Sequence, residues 1–126
     1  MSMRTPLGRV RGLGSAGTGT DHFWAQRVTS VAGIPLTVGF IVIVAMLVGR
    51  NHAATVQILG SPLVALTMIL FIATTLYHMW LGMQVIIEDY VNDPLLKAIM
   101  AMGNTFFSCV VGLASIFAVL KLSFGV

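Results

Sequence analysis

Charged residues are scarce in this sequence, and their scarcity excludes most soluble folds. Of its 126 residues, 9% are charged and 57% are hydrophobic. A soluble domain carries roughly 25% charged residues, so this chain has too few to cover a surface that faces water. We therefore predict an all-α integral membrane protein. The 7 basic residues are spread along the chain and form no patch, so we expect no binding to nucleic acid.

Cysteine is nearly absent as well. The single cysteine, Cys109, lies inside an apolar run. It cannot form an intrachain disulfide, and we expect a buried structural thiol.

The sequence has no Ser/His/Asp set and no zinc-ligand spacing. The glycines at 12–17 match G-x-G-x-x-G only by chance, because no strand precedes them. None of these motifs therefore points to a catalytic site in this sequence.

The sequence does contain three long apolar runs. A helix of about 20 apolar residues crosses the hydrocarbon core of a bilayer, and each run reaches that length. Pro35 lies in the first run and removes one backbone donor, so we expect Thr29 or Ser30 to help satisfy the carbonyl group that it frees. Asp93 and Pro94 suit the N-cap and first position of the last helix. The predicted transmembrane helices cover about residues 28–48, 63–87 and 95–122.

The N-terminal segment differs from the rest in composition. Residues 1–20 are basic and rich in glycine, without an apolar period, which predicts a flexible arm. Residues 21–126 then form the three-helix transmembrane domain. Thr20 or Asp21 is a suitable N-cap for a first helix that starts near His22.

The distribution of basic residues predicts the orientation in the membrane. Cytoplasmic segments carry an excess of Lys and Arg. If the N-terminus is cytoplasmic, Asp89 and Tyr90 lie on the same side as Arg27, with Arg27 level with Asp89. The basic residues on that side are Arg4, Arg9, Arg11, Arg27 and Lys97, against Arg50 and Lys121 on the other. We therefore predict a cytoplasmic N-terminus.

His78 is the most informative residue, because a histidine inside an apolar membrane helix is costly. A neutral imidazole is a good axial ligand for haem iron, and Gly82, one turn further along, would leave room for a flat macrocycle. Alternatively, the ring bonds across helices to a hydroxyl or carbonyl group. Eleven residues at about 100° each return to nearly the same helix face, so Asp89 shares the stripe of His78, about 16 Å away.

Asp89 and Tyr90 lie in the turn that we expect after the second helix. A phenol can donate a hydrogen bond to a carbonyl oxygen, and a nearby carboxylate can orient it or relay protons. A lipid-soluble quinone would reach this position from the bilayer. The alternative is a solvated helix end with an interfacial tyrosine. Arg27 could pair with Asp89, with a cofactor carboxylate or with lipid phosphate.

Two segments resemble a known family. Residues 78–91 read HMWLGMQVIIEDYV, and residues 17–29 read GTGTDHFWAQRVT. The first is similar to the signature helix of the succinate dehydrogenase hydrophobic membrane-anchor subunits, the cytochrome b-binding small subunits of respiratory complex II. The second resembles alphaproteobacterial members. The likeness extends from about Gly12 onward. The arginine-histidine-leucine run that is typical of the other anchor of such complexes is absent.

The resemblance implies roles for individual residues. His78 would be one axial ligand of haem b, with the second ligand coming from the other anchor subunit. Tyr90 would hydrogen-bond ubiquinone, with Asp89 beside it. Arg27 and His22 would contact the haem propionates.

The resemblance also implies partners and a location. The three helices would pack against a second membrane-anchor subunit and bind the iron–sulfur subunit on the cytoplasmic face. In the complete complex, the flavoprotein subunit would oxidise succinate, and ubiquinone would be reduced. The chain would lie in a bacterial inner membrane as a multi-pass protein. The composition of residues 1–20 is similar to that of a transit peptide, so the mitochondrial inner membrane is the alternative location. A fumarate reductase anchor and a small transporter or scaffold without haem remain alternatives.

Overall fold

The chain is almost entirely helical in a computed structural model, which describes residues 3, 5–12 and 19–125. Three helices in this part of the chain are long and apolar enough to cross a membrane, which confirms the predicted all-α fold with three spans. Two further helices are short. The helices are α1 (Pro6–Arg11), α2 (Gly19–Leu47), α3 (His52–Leu59), α4 (Pro62–Tyr90) and α5 (Pro94–Ser123).

The central helix of the fold is α4. It packs against α2 on one side and α5 on the other, and within the described ranges α2 and α5 share no interface of comparable size. The buried core is therefore thin, and most large apolar side chains are exposed. Such a surface suits lipid or a partner helix rather than water. The buried apolar side chains are Ile43, Ala65, Leu81 and Ile87.

Two helix ends differ from the predicted ones. The first spanning helix, α2, already begins at Gly19, so neither Thr20 nor Asp21 is its N-cap. Asp21 lies instead in the first turn, where a carboxylate interacts favourably with the positive end of the helix dipole. The other change concerns α4, which continues to Tyr90. Asp89 and Tyr90 therefore belong to its last turn and not to the turn that follows.

The start of α5 agrees with the prediction. Pro94 occupies the first turn, and the carboxylate of Asp93 accepts a hydrogen bond of 3.0 Å from the backbone N–H of Leu95. This cap satisfies one of the backbone donors that a helix start leaves without a partner.

The two short helices were not predicted. In the arm, α1 starts at Pro6, and the Thr5 hydroxyl accepts a 3.0 Å hydrogen bond from the Gly8 N–H. Residues 13–18, which hold the rest of the predicted flexible arm, lie outside the described residues. In the first loop, the Asn51 side chain accepts a 2.9 Å bond from the Ala54 N–H and caps α3. Both starts carry cap residues that a search for long apolar runs overlooks.

The hydroxyl groups near Pro35 do not satisfy the carbonyl group that it frees. The Thr29 hydroxyl lies 2.7 Å from the Ala25 carbonyl oxygen, and the Ser30 hydroxyl donates at 2.7 Å to the Gln26 carbonyl oxygen. The freed carbonyl belongs to the residue four positions before the proline, further along the helix than either acceptor. The predicted role of these two hydroxyls is therefore wrong.

Small residues let α5 approach α4 closely. A Cβ atom added at Gly112 would lie 3.2 Å from Cδ1 of Leu76, so the leucine side chain would have to move by a few tenths of an ångström. Ser108, one turn earlier, lines a small cavity with Leu76 and Trp80. Cys109 is exposed, and the expectation of a buried thiol is wrong.

Polar side chains also join α4 to α5. The Asn104 amide donates to the Trp80 carbonyl oxygen at 3.1 Å and to Oε1 of Gln84 at 3.3 Å. The indole N–H of Trp80 donates to the Thr105 hydroxyl at 3.0 Å. At about 100° per residue, Trp80 and Gln84 lie roughly opposite His78 on α4. These bonds therefore fix the rotation of α4 so that His78 faces α2.

Replacing Asn104 with leucine should weaken the packing of α4 against α5, because two hydrogen bonds across the interface are lost. Bonds of this kind contribute about 0.6 kcal/mol on average, so we expect the free energy of unfolding to fall by about 1 kcal/mol. The midpoint of SDS-induced unfolding, measured on protein purified in mild detergent, reports the loss. Gln57→Leu removes an exposed amide of α3 and serves as the control. Equal midpoints for the two variants would contradict the role of Asn104.

Candidate functional site between two membrane helices

His78 lies between α2 and α4 and makes one hydrogen bond across the interface. Its Nδ1 atom is 2.9 Å from the hydroxyl oxygen of Thr29, and its side chain is half-buried. The structure thus contains the interhelical bond that was one of the two interpretations of this histidine. The bond uses one ring nitrogen only, so the other remains available for a second interaction.

A cavity of about 530 Å³ opens beside this histidine. Its lining includes His22, Arg27 and His78, three of the residues predicted to serve one site, together with apolar side chains such as Leu81 and Val85. Two imidazoles and a guanidinium therefore share one space at the end of the α2–α4 interface where α2 begins.

A second cavity, of about 740 Å³, lies on the other side of His78, toward the middle of both helices. Its lining includes Thr37, Thr74, Thr75 and Ile34. His78 lines both cavities. His78 therefore borders both the cavity that contains Arg27 and the larger cavity that threonines and apolar side chains line.

Arg27 belongs to the first cavity and not to the level of Asp89. Its guanidinium carbon lies 5.0 Å from the centroid of the Phe23 ring, and it forms no ion pair with Asp89 within the described ranges. The neighbouring Gln26 faces Gly82, and Asp89 lies about 10 Å beyond Gly82 at 1.5 Å per residue. The prediction that Arg27 is level with Asp89 is therefore wrong.

Gly82 contacts α2 through the side chain of Gln26. A Cβ atom added at Gly82 would lie 3.7 Å from Nε2 of Gln26, which is ordinary van der Waals contact. The Oε1 atom of Gln26 is buried and has no hydrogen-bond partner within the described part of the chain. A buried acceptor without a donor is costly, and Gln26 lines the same cavity as His78.

Asp89 and Tyr90 lie apart from both cavities. Both side chains are exposed in the last turn of α4, and Tyr90 is 80% exposed. At 1.5 Å per residue, Tyr90 is about 18 Å from His78 along the helix. The structure therefore divides the predicted site residues into a group around His78 and a pair at the end of α4.

His78 belongs to no larger cluster of metal ligands in the described part of the chain, where no group of three or more His, Cys, Asp or Glu side chains could hold a metal ion. One further imidazole, that of His22, lines the same cavity.

Sequence reasoning missed the polar stripe of α2 that faces His78. The stripe consists of His22, Gln26 and Thr29, which recur at spacings of about one helical turn. Polar residues at this period within an apolar membrane helix mark an interface, because lipid contact would leave their polar groups unsatisfied. That signal was available in the sequence.

The whole chain is similar to known membrane-anchor proteins. A family model described as "Succinate dehydrogenase/Fumarate reductase transmembrane subunit" matches residues 1–120. The succinate dehydrogenase hydrophobic membrane anchor subunit of Paracoccus denitrificans is 32% identical over 121 residues, which cover 96% of this chain and 93% of the relative. The protein of the same name from Rickettsia bellii is 30% identical over 118 residues, 92% of this chain and 93% of the relative. No solved structure matches the chain.

These similarities run along nearly the whole chain, and both relatives are bacterial membrane anchors. The three spanning helices agree with that role. The chain therefore belongs to the succinate dehydrogenase/fumarate reductase transmembrane subunit family, as a non-catalytic, multi-pass anchor subunit of a bacterial inner membrane.

Proposed function

We propose that this anchor subunit supplies one axial ligand of haem b and part of the ubiquinone site of a succinate dehydrogenase. It would do so together with a second anchor subunit, an iron–sulfur subunit and a flavoprotein subunit. The observation that carries the proposal is the position of His78. Its half-buried imidazole lines two cavities between α2 and α4 and, among the described residues, is bonded through one nitrogen only.

The residues around His78 fit a haem group. A neutral imidazole with one free nitrogen is a suitable iron ligand. Arg27 and His22, in the same cavity, could balance the negative charge of the propionates. A second anchor subunit would supply the other axial ligand.

Haem b supplies a one-electron redox centre when bound. The contribution of this chain is to hold that centre inside the bilayer. His78 would bind and orient it, and Arg27 with His22 would fix its charged edge toward the membrane surface. The apolar walls of the two cavities, such as Leu81, Val85 and Ile34, would exclude water from it.

Tyr90 and Asp89 would serve the ubiquinone site. The Tyr90 phenol is exposed and has no hydrogen-bond partner within the described part of the chain, so it is free to donate to a quinone carbonyl oxygen. Asp89 could orient that phenol or carry protons from water. Because both side chains are exposed, the rest of the pocket would come from partner subunits.

Electron flow from succinate to quinone is the direction favoured by the relatives. The family description covers both succinate dehydrogenase and fumarate reductase, whereas the relatives from Paracoccus and Rickettsia are both succinate dehydrogenase anchors. The direction itself depends on redox potentials in the whole complex.

Replacing His78 with leucine should abolish the low-spin haem b signal of the purified complex, because the variant keeps an apolar side chain but loses the ligand nitrogen. Optical and electron paramagnetic resonance spectra measure this directly. His52→Leu changes an exposed histidine of α3 and should leave the spectra unchanged. A His78→Leu complex with the spectrum and redox titration of the wild type would contradict the ligand role.

Replacing Tyr90 with phenylalanine should lower succinate:quinone reductase activity by about tenfold or more, because a hydrogen bond worth roughly 1.4 kcal/mol in the transition state corresponds to a factor of ten. Succinate oxidation by an artificial water-soluble acceptor should stay normal. Tyr77→Phe removes the hydroxyl of a tyrosine on the α5 side of the same helix and is the control. Normal quinone reduction by the Tyr90→Phe complex would rule out the proposed contact.

A further inference from the structure

We propose that Thr29 is a positioning residue that sets the tautomer and the orientation of the His78 imidazole. This inference rests on the proposed role of His78 as an iron ligand. The Thr29 hydroxyl would direct the unprotonated nitrogen of the ring away from α2 and toward the haem iron.

The positions of four atoms determine which group donates the proton. The Thr29 hydroxyl oxygen lies 2.7 Å from the Ala25 carbonyl oxygen, 3.1 Å from the Gln26 carbonyl oxygen and 2.9 Å from Nδ1 of His78. A hydroxyl has one proton to donate, and carbonyl oxygens only accept. Two oxygens at 2.7 Å, the usual O–H···O distance, need a proton between them. The hydroxyl proton therefore points to Ala25.

It follows that Nδ1 of His78 is the donor. With its own proton directed to Ala25, the Thr29 oxygen can only accept from the ring, so Nδ1 carries a hydrogen. In a neutral imidazole Nε2 is then unprotonated and has a free lone pair. This is the tautomer that a metal requires when it binds through Nε2. The hydrogen bond to Nδ1–H also makes the ring a more basic ligand and restricts its rotation.

The accepting oxygen is itself held in a fixed position. Threonine is branched at Cβ and has few χ1 rotamers in a helix, and the bond to the Ala25 carbonyl selects one of them. The Thr29 side chain is also half-buried. On the other side, the contacts of Asn104 and Thr105 with Trp80 fix the rotation of α4. The ring is therefore oriented from both neighbouring helices.

The test compares hydroxyl-bearing and hydroxyl-free variants in the whole purified complex. Thr29→Val keeps the shape of the side chain and removes the acceptor, whereas Thr29→Ser retains it. For Thr29→Val we expect haem affinity to fall by about 10- to 100-fold, as is typical when the hydrogen-bond partner of a ligand is lost. We also expect the midpoint potential of haem b to become more positive, because a less basic imidazole stabilises the ferric state less well. The g-values of the low-spin signal should shift as well. Thr29→Ser should keep all three close to the wild-type values.

Two further variants separate this effect from the loss of any threonine hydroxyl. The hydroxyl of Thr67 in α4 donates to the carbonyl oxygen four residues earlier, as that of Thr29 does, but Thr67 lines neither cavity, so Thr67→Val should behave as the wild type. Thr29→Ala is measured alongside, so that a failure of the valine variant to assemble leaves the test intact. The same shift in Thr67→Val as in Thr29→Val would overturn the proposal, and so would a wild-type potential and spectrum in both Thr29→Val and Thr29→Ala.

The failure of this inference can be told apart from the failure of the proposed function. If His78→Leu loses the haem signal while Thr29→Val and Thr29→Ala match the wild type, His78 is the ligand and Thr29 does not position it. If His78→Leu keeps the haem signal, the ligand role is wrong, and the inference about Thr29 is wrong with it.

Discussion

The hydrogen bond between Thr29 and His78 is the interaction on which the site depends. An imidazole in an apolar membrane helix needs a polar partner, and here the partner is a hydroxyl of the adjacent antiparallel helix. Such a bond contributes only about 1 kcal/mol to helix association, so its main effect is on geometry and not on stability. It sets the two helices in register at His78 and occupies one ring nitrogen. The other nitrogen is left for the cavities between α2 and α4.

The central helix α4 has two faces with different tasks. Toward α5, close approach at Gly112 and the hydrogen bonds of Asn104 and Trp80 hold the helices together. Toward α2, two cavities remain on either side of His78. Firm packing on one face fixes the rotation of the helix, which in turn fixes the direction of the His78 side chain on the other. The exposed apolar surface of the chain is suited to lipid and to the other subunits of the complex.

The main features of the fold could be predicted from the sequence because they depend on local properties. Apolar runs of spanning length identify the three helices, and Asp93 with Pro94 marks the start of α5. The short helices α1 and α3 were missed because they lack such runs. The hydrogen bond of Thr29 with His78 depends on the translation and rotation of α2 relative to α4. The position of Arg27 beside the first cavity depends on the same two quantities. That register is set by side-chain packing between distant segments, which the spacing of residues along one helix does not reveal.

The most direct test of this account is a cryo-electron microscopy map of the assembled complex, at a resolution that shows side-chain orientation and the coordination of bound haem. The account predicts that Nε2 of His78 binds the iron while Nδ1 stays within hydrogen-bond distance of the Thr29 hydroxyl. Iron bound by a different residue of this chain, or a Thr29 hydroxyl turned away from a ligating His78, would contradict it.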